Sequence, residues 1–357
     1  MPETTGLTKE YRGVEPPAGV HLPTVAEILE MCTADDKHPA GLAFPFEAPV
    51  FWIKYGFAVE WNEVLAQAMA HRELLKLRSR ARVPAVFYAF EIARKTYIVM
   101  EYISGRSGSQ ILESTSEPAE RKEVYRQVAF MVQELLRIPI PPNSRPAAID
   151  GGKFTHLIFS DYEASRHYHN ADQLEQHFNL FMKMAKREPK IQGLSREPLV
   201  FSHPDIWPGN IIIGDDGCTT IIDFAGASIL PSSFVKYSIT TTKKYREYDL
   251  MPWVDIPCPD GIDNVKALFA ISGPMVMGSG SFARAGSRVP GHGDPVPEHN
   301  LKGDDGNFSI CPSYDVHDER NTECTILLLS EEMRIKQPAT AQNSLTKYYF
   351  HLEEKYG

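Results

Sequence analysis

The stretch FSHPDIWPGNIIIGDDGCTTIIDFAGAS, Phe201–Ser228, decides the reading of this chain. Two apolar runs, Ile211–Ile213 and Thr219–Ile222, flank a GDDG turn, which predicts an antiparallel hairpin. Asn210 immediately precedes the first strand, Asp223 closes the second, and Asp205 lies in the loop just ahead. In an antiparallel pair the start of one strand lies beside the end of its partner, so the three converge on one end of the hairpin. A carboxylate and an amide oxygen together suit Mg2+, which takes hard oxygen ligands and keeps positions for phosphates and water. A further carboxylate in the preceding loop can orient or deprotonate an attacking hydroxyl. Phosphoryl transfer needs this set, because its catalysis is mostly positioning and charge neutralisation. Taken singly, each residue also has a structural reading: HPD as a turn, Asn210 as a strand-end cap, Asp223 as a solvated strand end. The conjunction of His203, Asp205, Asn210 and Asp223 is what points to chemistry.

A phosphate-handling site also needs a cation, and Lys54 lies in mid-strand within FWIKYG. It reads either as an outward edge-strand lysine or as the third-strand lysine that meets the α/β-phosphates and a helix glutamate. The segment Ala48–Phe57 is rich in aromatic and β-branched residues and predicts a strand. The segment 61–81 follows as an amphipathic helix, with Trp61, Val64, Leu65, Ala68 and Leu75 at helical spacing. That helix offers Glu63 near its start and Glu73 further along. VPAVFYAFE and KTYIVMEYI predict two more strands joined by a turn at IARK.

The order H-P-D-I-W-P-G-N-I-I-I followed by I-I-D-F-A-G-A resembles the H-R-D-x-x-x-x-N and D-F-G pair of protein kinases. It resembles the aminoglycoside phosphotransferase family more closely still. The run K-Y-G, E-V-L-A-Q, R-V-P-A-V-F-Y and Y-I-V-M-E-Y-I-S-G is similar to the same family, particularly its fungal-type members. The resemblance implies an α+β, bilobal protein-kinase-like fold with a small β-rich N-lobe and a mainly helical C-lobe. It implies a small-molecule kinase that uses ATP and Mg2+ to phosphorylate a hydroxyl. Asp205 would be the catalytic base, His203 would brace its loop, and Asn210 and Asp223 would be the metal ligands. Trp207 and Pro208 would shape the loop and face the substrate. Lys54 would hold phosphates with Glu63 as partner and Glu73 as fallback, and the backbone of Met100, Glu101 and Tyr102 would meet the adenine edge. No Gly-rich loop precedes Lys54; HPAGLAFPFEAPV offers only Gly41. The alternative is a catalytically weak or inactive kinase-like protein that binds a ligand or partner in the cleft.

The rest of the chain sets bounds. Its 357 residues suffice for two lobes, and a net charge of −9 argues against nucleic acid as the main partner. That charge fits a cationic acceptor, such as an amino-sugar or amino-alcohol, and a merely soluble surface equally well. Five cysteines without a C-x-x-C pair suggest neither a disulfide framework nor a zinc site. No apolar run is long enough to span a bilayer and no leader is evident, so the expected location is the cytoplasm. The expected organisation is a loose arm at 1–22, an N-lobe at 23–103, a C-lobe at 104–268, and a Gly/Pro-rich, poorly ordered tail at 269–357. Helices are expected at 23–32, 118–138, 171–187 and from Ser232, with a further one at the C-terminus. In the tail, GSGSFARAG mimics a glycine loop and HGDPVPEHN mimics a second catalytic loop; both read as flexible loop.

Overall fold

The computed structural model describes residues 6–34, 41–159, 162–246 and 248–277, all within one compact unit, Met1–Gly293. The tail segments beyond 277, with the two mimicking motifs and the C-terminal helix, lie outside the described residues. Among the described residues no helix is long and apolar enough to cross a membrane.

The small lobe is a five-stranded antiparallel sheet between two helices. In chain order its elements are β1 (Leu7–Arg12), α1 (Val25–Ala34), β2 (Leu42–Phe44), β3 (Phe51–Gly56), α2 (Trp61–Lys76), β4 (Ala81–Arg82), β5 (Val86–Ile92) and β6 (Lys95–Glu101). The sheet order is β1-β5-β6-β3-β2. Side chains alternate across a strand. Phe51, Ile53, Phe90, Tyr97 and Val99 therefore pack on one face with Ile28 of α1. Val86, Ala89, Ile98 and Met100 pack on the other with Val64 of α2.

Two sequence expectations change here. Residues 7–12, expected within a loose arm, form an edge strand paired with β5 from Leu7↔Ile92 to Arg12↔Tyr88. Main-chain pairing holds this polar strand, supported by cross-strand contacts such as Thr8 Oγ1 donating to Glu91 Oε1 at 2.6 Å and Tyr88 Oη donating to Glu10 at 3.0 Å. Second, Leu75 of the expected apolar stripe is 64% exposed, whereas Ala66 and Ala70 are fully buried. The helix is covered on two sides, by the sheet and by the large lobe, and the two alanines allow close approach to the large-lobe helix bearing Val128 and Met131.

The large lobe continues with β7 (Arg106–Ser107), α3 (Gly108–Ser114), α4 (Pro118–Leu136), β8 (Ala147–Ala148), α5 (Ala171–Met184), β9 (Leu199–Ser202), β10 (Ile211–Ile213), β11 (Thr219–Ile221), β12 (Ser228–Pro231), α6 (Ser232–Arg246) and α7 (Val265–Met277). Pro118 opens α4 at a position where the missing N–H costs nothing. Ser107 starts α3 with a reciprocal capping box to Gln110. Phe178, Phe181 and Met182 of α5 meet Phe234 of α6 and Leu268, Ile271 and Met275 of α7 in an aromatic-rich core. Helix α7 thus runs past the point where the poorly ordered tail was expected to begin, because Ile271 and Met275 are buried in that core.

Candidate active site

The hairpin forms with register Ile211↔Ile221 and Ile213↔Thr219. Its turn closes through Gly217 N–H donating to Gly214 O at 2.9 Å, with Gly217 at φ 74°. At the other end, Ile222 N–H donates to Asn210 O at 2.9 Å, which fixes Asp223 beside Asn210 in the chain path. Pro208–Asn210 form a short 3-10 turn in which Asn210 N–H donates to Trp207 O at 2.9 Å. The Trp207 ring lies against Gly209, where a Cβ would fall 2.0 Å from its Nε1, so no larger residue fits there.

Asn210 is buried, and its Nδ2 donates to Asp205 Oδ2 at 3.0 Å and to Asp205 O at 3.1 Å. These two hydrogen bonds fix the amide, and its Oδ1 accepts no hydrogen bond among the described residues. Asp223 has φ 64°, an unusual backbone setting for a residue with a Cβ and one that recurs at functional sites. Lys54 Nζ contacts Asp223 Oδ1 at 2.8 Å and Glu63 Oε1 at 2.5 Å. Glu73 lies ten residues along the same helix, roughly 15 Å at 1.5 Å rise per residue. It pairs instead with Arg72 and Lys76 at 2.8 and 2.9 Å.

The electrostatics keep this cluster charged. Burial works against the Lys54 charge, but the carboxylates of Glu63 and Asp223 more than offset it and push its pKa up. Burial alone would raise Asp223, and Lys54 reverses this, holding it below the usual carboxylate value. Glu63 is almost fully buried; burial pushes its carboxyl up against the pull of Lys54, and its Oε2 has no hydrogen-bond partner. His203 is buried edge-on against Phe224, centroids 5.2 Å apart. Burial lowers its pKa despite the nearby charges of Asp205 and Asp223. The main chain of Ile222 and Asp223 approaches the ring, yet neither ring nitrogen completes a hydrogen bond of good geometry. His203 thus lies buried beneath the loop, where burial disfavours its charged form.

The linker departs from expectation in detail. Met100 lies inside the sheet, opposite Trp52 and Val86. Glu101 N–H donates to Ala85 O at 2.8 Å and Tyr102 N–H to Val50 O at 2.9 Å, so neither is available to a purine. The Glu101 carboxylate accepts from Ala85 N–H at 3.2 Å and lines a recess of about 900 Å3 that contains none of Lys54, Glu63, Asp205, Asn210 or Asp223. Ile103 is the next residue, and its N–H has no partner among the described residues. Donor direction alternates along an extended chain, and the sequence does not show which residue falls on which side.

Sequence reasoning also passed over Asn62. It is 4% exposed in the first turn of α2 and shares a face with the buried Ala66 and Ala70. A polar residue four positions before an alanine pair on a buried stripe was the available signal.

Among the described residues no three His, Cys, Asp or Glu side chains form a metal cluster by themselves. The donor set is instead one carboxylate, Asp223, and one amide oxygen, Asn210 Oδ1. It fits Mg2+, which completes its shell with phosphates and water.

Comparison with known proteins gives the following similarities. No curated protein sequence matches the chain significantly. Among solved structures the chain is similar to an aminoglycoside phosphotransferase from Streptomyces rimosus in complex with ADP and streptomycin. The identity is 12%, covering 71% of this chain and 99% of that one, with a TM-score of 0.39. It is also similar to a spectinomycin phosphotransferase in its AMP-bound complex, at 12% identity, covering 65% of this chain and 79% of that one, TM-score 0.36. At these scores the likenesses add nothing to the topology and site described above. A model of the phosphotransferase enzyme family matches residues 62–231, from the residue before Glu63 to the end of β12. The segment 62–231, which holds Glu63, Asp205, Asn210 and Asp223, is thus similar to the phosphotransferase enzyme family.

Proposed function

We propose that the chain transfers the γ-phosphate of ATP to a hydroxyl of a small molecule, with Mg2+ as the metal. The observation that carries this reading is the junction at one hairpin end. There Lys54 bonds both Glu63 and Asp223, while Asn210 holds Asp205 and keeps one amide oxygen unbonded. Lys54 stays protonated and holds the nucleotide phosphates. Asp223 and Asn210 Oδ1 are the donors for Mg2+, which when bound neutralises phosphate charge. Asp205, positioned by Asn210, orients the acceptor hydroxyl and takes its proton as the oxygen attacks. His203 stays neutral and keeps the loop in place.

The purine reading moves one residue from the sequence expectation. The Glu101 carbonyl, bypassed by Ala85 N–H in favour of its own carboxylate, and the unpartnered Ile103 N–H make an acceptor and donor two residues apart. Trp52 lies two residues before Lys54 on the same strand, hence on the same face, and supplies an aromatic surface beside Met100.

The test is ATP consumption by the full chain across a panel of hydroxylated metabolites, amino-sugars and amino-alcohols included. Asp205→Asn should lower turnover by about 10^3-fold, within the range for removing a general base, while Mg·ATP binding and the unfolding midpoint stay at parental values. Parental turnover in the variant would show that Asp205 is not the base.

A further inference from the structure

Helix α2 carries Glu63, and the side chain of Asn62 ties its first turn to the large lobe by hydrogen bonds. Asn62 Nδ2 donates to Ala227 O at 2.9 Å. Its Oδ1 accepts from Ile149 N–H at 2.7 Å and from Asp150 N–H at 3.2 Å. Three hydrogen bonds therefore join the first turn of a small-lobe helix to two separate large-lobe segments. One is the end of β8 and its following turn. The other is the four-residue stretch between Asp223 and β12. Asn62 is 4% exposed and Ala227 fully buried, so water competes for none of these bonds at low cost.

The adjacency gives the arrangement its consequence. Residues 62 and 63 share one helical turn, so anchoring the Asn62 side chain sets the position of the Glu63 Cα. Glu63 has one carboxylate oxygen on Lys54 and the other buried without a partner, so its place depends on the helix rather than on contacts of its own. The same anchor holds Ala227, four residues beyond Asp223. Asp223 itself pairs with Lys54, and the main chain of Ala225, in the same segment, approaches its carboxylate. A Cβ on Gly226, at φ 74°, would sit 3.1–3.2 Å from Thr155 and Pro204, so the segment reaching Ala227 is closely packed at that residue.

We infer that Asn62 is a positioning residue that clasps α2 to the large lobe and thereby fixes both Glu63 and the Asp223 loop around Lys54, so that the helix does not swing to switch the site on and off. The functional arm of this inference rests on the nucleotide reading above; the structural arm does not.

Hydrogen exchange of the full-length chain and calorimetric titration with Mg·ATP test the two arms together. In Asn62→Ala, exchange should rise at Ile149 and Asp150, across the first turn of α2, and across 223–227. In Asn62→Asp the acceptor for Ile149 and Asp150 remains and the donor to Ala227 is lost. Exchange should then rise at 223–227 and in α2, while Ile149 and Asp150 stay protected. Either variant should weaken Mg·ATP binding by about tenfold. In a Glu63→Gln background the further loss on Asn62→Ala should be smaller than in the parent, because the two share the Glu63 arm, and the remainder reports the Asp223 loop. Asn179 is the control: it makes two comparable bonds with Ile191 at 2.7 and 2.9 Å, inside the large lobe. Asn179→Ala should lower the unfolding midpoint and leave Mg·ATP affinity unchanged. The inference is overturned if exchange in Asn62→Ala rises only at Ile149 and Asp150. It is equally overturned if both Asn62 variants bind Mg·ATP like the parent. A parent chain that fails to bind Mg·ATP would defeat the nucleotide reading instead, and the exchange pattern would still decide the clasp.

Discussion

Two regions of this molecule bury ionisable side chains, and they treat them in opposite ways. The aromatic core of α5, α6 and α7 neutralises what it encloses. His156 is fully buried against Phe234 and contacts Ser238 Oγ at 3.2 Å, and burial takes its pKa from 6.5 to about 4. Tyr168, sealed in the same core, has its phenol pushed up by burial. The cleft under α2 preserves charge instead: Glu63 and Asp223 hold Lys54 protonated, and Lys54 holds Asp223 ionised. Desolvation acts on both regions, and countercharge within hydrogen-bond reach decides the outcome. Keeping charges under cover costs several kcal/mol per ion unless they are closely paired, so a cleft that retains them has a use for them.

Removing the cation breaks the comparison most severely. Lys54→Met leaves Glu63 buried without its partner, and the stability loss should be about 3–5 kcal/mol by chemical denaturation. Mg·ATP binding should vanish with it. The double variant Lys54→Met/Glu63→Gln removes both charges and should recover most of that stability without recovering nucleotide binding. Recovery of both would mean that Lys54 serves the fold alone.

A smaller effect tests the neutral region. His156 binds its proton less tightly in the folded state than in the unfolded one, so between pH 6.5 and about 4 the unfolded chain carries the extra proton. Stability therefore falls as pH drops through that window. His156 should contribute about 1 kcal/mol of loss between pH 7 and 5.5. His203, also lowered by burial, adds a slope of the same sign. Urea midpoints at the two pH values should show a shallower dependence in His156→Gln; an unchanged slope would show that His156 is not the titrating group.

The smallest effect on nucleotide binding concerns Glu73, which belongs to the same helix as Glu63 but pairs its buried carboxylate with the exposed Arg72 and Lys76. Glu73→Gln should leave Mg·ATP affinity unchanged. A tenfold loss of affinity would reopen the choice between the two glutamates.

What the sequence made legible follows from distance along the chain. His203, Asp205, Asn210 and Asp223 surround one local hairpin, so spacing alone brings them together. Lys54 and Glu63 were also readable, since a strand and the helix after it are neighbours. Contacts set by packing were not. Nothing in LTKEYR shows that its main chain completes a sheet with β5. Nothing in IVMEYI shows that the N–H groups of Glu101 and Tyr102, expected with Met100 at an adenine edge, are consumed by Ala85 and Val50. The role of Asn62 was out of reach because its partners, Ile149, Asp150 and Ala227, are distant in sequence.

The central claim is that the Lys54–Asp223–Asn210 corner is a metal-dependent nucleotide site. Calorimetric titration of the full chain with ATP, with Mg2+ present and after chelation, tests it most directly. The expected result is binding that weakens by at least about tenfold on chelation and is lost in Asp223→Ala. Binding that is indifferent to Mg2+ and to Asp223, or no binding at all, would contradict it.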